Sequence, residues 1–292
     1  MPYDIITDSS ANLPDAYIER YGLHILSLEF IVDGVSYRGY TEGEITNNKQ
    51  FYSMMRDGKV VKTSLVSLNE AGDVLRSCFD RGNDVLYLGF DSALSGTYEA
   101  VSNYMQQVQE GEYPERSLRC VDTRAAALGE GLLVVEAAEQ KRAGASLDEL
   151  ANWAEDNRLH FAHWFTVEDL NYLQRGGRLS KGAAFAGTLL NIKPVLHVDD
   201  EGRLVPVLKV RGRKKSVQAL FERYAETARE PRAELPVYIS HGDCLEDAQQ
   251  LAQLIRDGYG VTDIVVNDLD PVIGAHSGPG TLALFFLTDA SR

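Results

Sequence analysis

Short apolar runs rich in β-branched residues alternate along the chain with stretches of helical length. Tyr3–Thr7 is an apolar run ending on Asp8-Ser9-Ser10, which reads as a strand feeding a turn. His24–Val32 reads as a second strand; Asp33-Gly34 and then Val35–Tyr37 complete a hairpin signal. A polar helix is expected near Lys49–Arg56, a loop around Lys62–Ser67, and a helix over Leu68–Asp80. Asp84–Gly89 follows as a strand, Ser95–Val108 as a helix, Leu118–Val121 as a strand and Gly131–Arg142 as an Ala-rich helix. Strands separated by helices of this length predict a mainly parallel α/β sheet with flanking helices.

The pattern changes after the acidic helix Leu147–Asn157. His160–Thr166 is a strand, and Glu168–Leu173 a short helix entering the Gly-rich turn Arg175–Arg178. Pro194–Val198 and Leu204–Lys209 flank Asp199–Gly202 as a β-hairpin. Ser216–Ala228 and Leu245–Asp257 read as helices; Leu235–Ser240, Asp263–Asn267 and Leu282–Leu287 read as strands. A hairpin combined with αβ crossovers predicts a second α/β sheet of mixed direction. The expected division is an N-terminal α/β domain, residues 1–158, and a C-terminal α/β domain, residues 159–292.

Composition narrows the function. The 29 Lys and Arg against 43 Asp and Glu give a formal charge of −14, which repels polyanions and argues against non-specific nucleic-acid binding. No apolar stretch approaches the roughly 20 residues that span a bilayer, so no stable membrane insertion is expected. Three scattered cysteines and the absence of a basic leader with an apolar run point to a reduced cytoplasmic setting.

Four hydroxyl- and glycine-rich segments fall where strands end: Lys62-Thr63-Ser64, Ser92–Thr97, Arg175–Arg178 and His276–Thr281. Ligands of open α/β sheets bind beyond the carboxyl ends of strands, near free helix amides. Ser95 is expected as a helix N-cap, with Gly96 admitting a ligand to the backbone. Hydroxyls, amides and one histidine suit a carboxylate head group without leaving an unpaired charge in an empty site. Thr63 and Ser95 are therefore candidate donors, and His276, expected in a turn, either donates as imidazolium or orients a hydroxyl. An alternative makes Ser95 and His276 a hydrolytic pair acting on lipid esters, although no GxSxG elbow is present. Neither a GxxxxGK[ST] nor a strand-linked GxGxxG motif occurs, and no metal cluster is apparent: His160 and His163 would face opposite sides of a strand. Arg203–Lys215 holds six basic residues and no acidic one, a docking face for an acidic or phosphate-bearing partner.

Together these segments resemble the DegV family, which includes the FakB-type fatty-acid-binding subunits of bacterial fatty acid kinase. ITDSSANLP, the VDG hairpin, KTSLVS, SALSGTYEA, VDTRAAALGEG, YLQRGGRLS, KPVLHVDDEGRL and AHSGPGTLALFF occur in the family's order over essentially the whole chain. Leu65-Val66 stand where Gln-Pro is common, and Ala127 where Ser is. The resemblance implies two α/β domains with one long-chain fatty acid in a buried tunnel between them. The carboxylate would be held by Thr63, Ser95 and the Gly96 amide, with His276 in the network and Ser64 and Arg175 nearby. It implies no cofactor beyond that lipid and no catalysis by this chain. A separate ATP-dependent kinase subunit would phosphorylate the carboxylate for phospholipid synthesis, docking near Arg211, Arg213 and Lys214. Leu132, Leu133, Phe185, Leu189, Leu190, Ile192, Phe285 and Phe286 are the apolar candidates for the tunnel wall.

Overall fold

The computed structural model describes residues 2–44, 46–179 and 191–292. In chain order, β1 (Tyr3–Asp8) leads through one 3-10 turn to α1 (Asp15–Tyr21) and β2 (His24–Leu26). β3 (Glu29–Val32) and β4 (Val35–Arg38) precede α2 (Asn48–Arg56), β5 (Val61–Ser64) and α3 (Leu68–Asp80). β6 (Asp84–Gly89), α4 (Thr97–Glu112), β7 (Leu118–Asp122), α5 (Leu128–Arg142) and α6 (Leu147–Asn157) follow. The second half holds β8 (Phe161–Thr166), α7 (Asn171–Arg175), β9 (Ile192–Val198), β10 (Leu204–Arg211) and α8 (Arg213–Thr227). β11 (Val237–His241), α9 (Leu245–Tyr259), β12 (Ile264–Asp268), α10 (Pro271–Ser277) and β13 (Leu282–Leu287) close the chain.

The strands form a parallel four-stranded sheet ordered β2-β1-β6-β7, a mixed six-stranded sheet ordered β10-β9-β8-β13-β11-β12, and a three-stranded antiparallel sheet ordered β4-β3-β5. The expected α/β class, with one parallel and one mixed sheet, is what the chain adopts; the small third sheet is an addition. Its hairpin turns at Asp33 and Gly34, both at positive φ (51° and 83°), the backbone that suits the right-handed strand twist.

The run His24–Val32 does not form a single strand. It breaks at Ser27-Leu28 and serves two sheets. The backbone groups there find other partners: Leu28 N donates to Ser9 Oγ at 3.0 Å, Gly39 N to the Leu28 carbonyl at 2.7 Å, and Tyr40 N to Ser27 Oγ at 3.1 Å. The loop expected over Lys62–Ser67 is partly strand, because β5 pairs with the free edge of β3 in the register Phe30 opposite Thr63. His276 lies in a helix, α10, and not in a turn. Asp270 caps that helix by accepting from Val272 N and Ile273 N at 2.6 and 3.2 Å, and Pro271 occupies its first turn.

Alternation along β8 and β13 divides the core. Ala162, Leu282, Leu284 and Phe286 pack on the side of α8 and α9. Phe161, Phe165, Ala283, Phe285 and Leu287 turn the other way and join a larger core shared with the N-terminal half. α5 lies in that shared core against β8, β11 and β13, and ten of its residues, from Leu128 to Ala138, are buried. A helix enclosed on all sides needs no polar face.

Near the start of α5 the buried carboxyls of Asp8 and Glu130 meet at one hydroxyl. Ser10 Oγ is 2.5 Å from Asp8 Oδ1 and 2.6 Å from Glu130 Oε2. One hydroxyl hydrogen cannot serve two carboxylates, so one acid carries its own proton. Asp8 also receives Phe90 N, Ser10 N and the Tyr87 hydroxyl. Glu130 has fewer donors and is pushed well above the usual carboxylate range by burial and the neighbouring Asp8, so the proton resides there.

Phe286→Ala empties a fully buried site between β13 and the α8–α9 layer. The expected loss is about 3–5 kcal/mol in urea-induced unfolding; a loss below about 1 kcal/mol would contradict the packing described.

Candidate functional site

Between the two large sheets lies a cavity of about 310 Å³, within the size range of small-molecule sites. Its floor is the inward face of the six-stranded sheet: Thr281, Ala283 and Phe285 at alternate positions, beside His163 and Phe165. Leu28, Phe90, Leu94, Ala126 and Ala127 supply much of the opposite wall. Polar groups gather where β5, the β6–α4 loop, α7 and α10 converge, and these are Thr63, Ser64, Ser95, Arg178 and His276.

Local structure accounts for each position. Thr63 points inward from β5, and its Oγ1 lies 2.8 Å from His276 Nε2. Ser95 sits in the turn after β6, where Leu94 N and Ser95 N donate to the Asp91 carbonyl at 3.1 Å. Ser95 Oγ accepts from Thr97 N at 3.2 Å and donates to Thr97 Oγ1 at 3.0 Å. The N-cap position of α4 is Gly96 and not Ser95. Gly96 has φ −73°, is not among the cavity-lining residues, and a Cβ there would meet nothing within 4 Å.

Arg178 is the site residue that the sequence reading passed over in favour of Arg175. α7 ends in a Schellman turn: Gly177 N donates to the Gln174 carbonyl and Arg178 N to that of Leu173, both at 3.1 Å, with Gly177 at φ 70°. The reversal sends Arg178 into the cavity beside Leu173, whereas Arg175 stacks over the Tyr172 ring at 4.7 Å. The usable signal was a Gly-Gly pair directly after a helical pattern. Arg178 Nε donates to the Leu94 carbonyl at 3.1 Å, and its Nη1 to that of Gly176. Gly176 is required here, since a Cβ would lie 2.5 Å from His276 Nδ1.

Electrostatics corrects the expected imidazolium. Burial and the Arg178 guanidinium push His276 down to about 4, so the ring is neutral at pH 7 despite its place at a helix C-terminus. Burial also lowers Arg178. The mouth is thus one cation supported by carbonyls, together with neutral donors. With hydrogen on Nε2, the histidine donates to Thr63 Oγ1 and leaves the threonine hydrogen free for an anion. Ser95 bonds to Thr97 and His276 to Thr63; the hydrolytic Ser95–His276 hydrogen bond is not formed.

The remaining sequence candidates scatter. Ser64 lines the cavity from an exposed position. Arg175 lines an adjoining vestibule of about 410 Å³ together with Lys59, Lys62, Thr63, Arg178 and His276. Arg211 and Lys214 are exposed, but Arg213 is bonded to Asp247 at 2.9 Å, the Gly280 carbonyl at 2.8 Å and Cys244 Sγ at 3.2 Å. Of the eight tunnel candidates, Phe285 lines the cavity. Phe286 faces the opposite core, Leu132, Leu133 and Ile192 lie elsewhere, and Phe185, Leu189 and Leu190 fall outside the described residues. Folding also gathers Asp4, His24 and Cys78, but the Arg81 guanidinium already occupies their centre, 3.0 Å from Asp4, 3.3 Å from His24 and 3.4 Å from Cys78.

A family profile described as "Uncharacterised protein, DegV family" matches residues 2–289. The chain belongs to the DegV family. A DegV domain-containing protein of Clostridium perfringens is 42% identical over 288 residues, covering 99% of this chain and 98% of the relative. Among solved structures, a DegV family protein from Thermus thermophilus described as binding fatty acid superposes with a TM-score of 0.86 at 31% identity, covering 99% and 100% of the two chains. DegV from Bacillus subtilis, described as a fatty acid binding protein, superposes at 0.84 with 26% identity over 99% and 100%. Among the described residues of this DegV protein, no helix is long and apolar enough to cross a membrane.

Histidine NMR tests the electrostatics of the mouth. The His276 midpoint is expected near 4 in the folded protein and higher in Arg178→Gln. Because the unfolded ring binds its proton at higher pH, His276 costs stability as pH falls from about 6.5 towards 4. His276→Gln should flatten that part of the stability profile.

Proposed function

We propose that this DegV protein binds one long-chain fatty acid in the cavity and presents its carboxylate to a separate ATP-dependent kinase that forms the acyl phosphate. The observation that carries this reading is an apolar cavity with hydrogen-bond donors gathered at one place: Thr63 and Ser95 hydroxyls, neutral His276 and the Arg178 guanidinium. Each buried methylene contributes about 0.8 kcal/mol, roughly 10 kcal/mol for a long chain before ordering costs. A carboxylate beside Arg178 gains a charge-assisted hydrogen bond, and that cation gains a counter-charge. In this reading residues 1–158 and 159–292 act as two halves holding the lipid between them, in the cytoplasm and with no cofactor of their own.

Presentation to a kinase draws support from the vestibule. Lys62 and Arg175 stand outside the head-group residues, beside Lys59, which pairs with Asp33 at 2.6 Å, and no acidic residue is among the described residues lining that wall, in a protein of formal charge −14. Such a basic approach favours a phosphate-bearing partner site. Arg211 and Lys214 remain the proposed docking cations at the protein surface; Arg213, committed internally, is a weaker choice. The carrier reading is preferred over ester hydrolysis because Ser95 has no bond to a general base.

Denaturing extraction and mass spectrometry of the purified protein should recover a fatty acid, and Thr63→Ala with Ser95→Ala should weaken rebinding about tenfold or more with the unfolding transition unchanged. Unchanged affinity would remove both hydroxyls from the site. With an ATP-dependent fatty acid kinase added, Arg211→Glu with Lys214→Glu should slow acyl-phosphate formation at least about tenfold while fatty-acid affinity is retained; equal rates would place docking elsewhere.

A further inference from the structure

A second cluster of side chains lies outside the cavity, near the amino ends of the first two parallel strands. In the pairing of β1 with β2, His24 stands opposite Ile6, so Asp4 and His24 point to one face of the sheet. α3 packs against β2 and β6, and its last turn brings in Cys78, which is fully buried. The carboxylate, imidazole and thiol ligand atoms all lie within 4.8 Å of one another, with Asp4 Oδ2 and His24 Nε2 3.7 Å apart. Sequence spacing conceals the group, since positions 4, 24 and 78 belong to three separate elements.

Arg81 shows what these atoms hold. A guanidinium only donates, and one of its nitrogens, Nη2, lies 3.0 Å from Asp4 Oδ2, 3.3 Å from His24 Nε2 and 3.4 Å from Cys78 Sγ. Three lone pairs therefore converge on one cationic group, and that nitrogen has two hydrogens for three acceptors. An ion pair with Asp4 accounts for the arginine, but not for an imidazole and a thiol aimed at the same atom. The arginine is also replaceable. Its side chain is 47% exposed, with Nη1 donating to Ser77 Oγ at 2.7 Å, and ion pairs this open to water are weak.

Carboxylate, imidazole and thiolate together suit zinc, and ligands about 2.1 Å from a tetrahedral ion stand about 3.4 Å apart, near the spacing here. Charge balances as well. With arginine in place the cluster holds one cation, one carboxylate and a neutral thiol. With Zn²⁺ it holds two positive charges against a carboxylate and a thiolate. The bond formed is Zn–S, the bond broken is S–H, and the proton leaves to water. His24, its side chain 32% exposed, leaves the fourth position open to solvent.

We infer that Asp4, His24 and Cys78 form a zinc site, and that Arg81 is the group the metal displaces. The ion is structural: it fastens α3 to β1 and β2 and has no part in lipid binding, so the inference does not rest on the fatty-acid reading.

The test is metal titration of the full-length, chelator-treated protein with its cysteines reduced. Co²⁺, standing in for Zn²⁺, should give a near-ultraviolet thiolate charge-transfer band and the visible bands of a tetrahedral ion, and added Zn²⁺ should abolish both. In competition with a chromophoric chelator, Arg81→Ala should bind Zn²⁺ about tenfold or more tighter than the wild type, and His24→Gln about tenfold or more weaker. Zn²⁺ should raise the melting temperature of the wild type and leave that of His24→Gln unchanged. Cys78→Ser should lose the charge-transfer band; where that buried position does not tolerate serine, the Arg81 and His24 variants, at partly exposed positions, decide. Absence of the band in the wild type overturns the inference, even where Arg81→Ala shows it. So does a zinc affinity that His24→Gln leaves unchanged, because the ion would then sit elsewhere.

Discussion

The central strands of the six-stranded sheet, β9, β8, β13 and β11, are buried on both faces, and most of the molecule follows from that constraint. Its strands belong to the second half of the chain, and α8 and α9 cover one side. Among the described residues, the other side has no helix layer from the same half long enough to close it, so α5 and the N-terminal sheets do. Two twisted sheets with a helix between them cannot meet everywhere. Where they part, along Thr281, Ala283 and Phe285, the cavity remains. The site is thus a product of the packing that joins the halves.

The polar end solves a different problem, which is to offer positive potential without stranding a charge. Arg178 keeps its guanidinium on the Leu94 and Gly176 carbonyls, so the cation is solvated by the protein itself. That same charge discharges His276, and the neutral ring then serves Thr63. Residues from β5 and α10, 213 positions apart in sequence, are joined by one short hydrogen bond at the mouth.

Where a signal was local, the sequence carried it. Asp33-Gly34 marked its hairpin, the bounds of α3, β6, α6 and β13 followed from periodicity and breakers, and Thr63, Ser95 and His276 were picked from hydroxyl- and glycine-rich strand ends. What escaped was decided by distant partners. The break at Ser27-Leu28 depends on Ser9 and Tyr40. β5 is a strand because β3 has an open edge. The choice of Arg178 over Arg175 turns on the sense of one glycine turn. The apolar wall was the least readable part: Phe285 and Phe286 are equally hydrophobic, and register alone decides which of them touches the cavity.

The carboxyl pair bridged by Ser10 has a further consequence for how the whole chain responds to acid and base. Folding near neutral pH takes up a proton at Glu130, so this carboxyl does not contribute its charge to the formal −14 in the native molecule. A rise in pH above the ordinary carboxylate range therefore opposes the fold through Glu130, while a fall from about 6.5 towards 4 opposes it through His276. Two groups with no part in each other's hydrogen bonding thus tilt stability in opposite directions as pH changes, and each favours the fold only while it is kept uncharged.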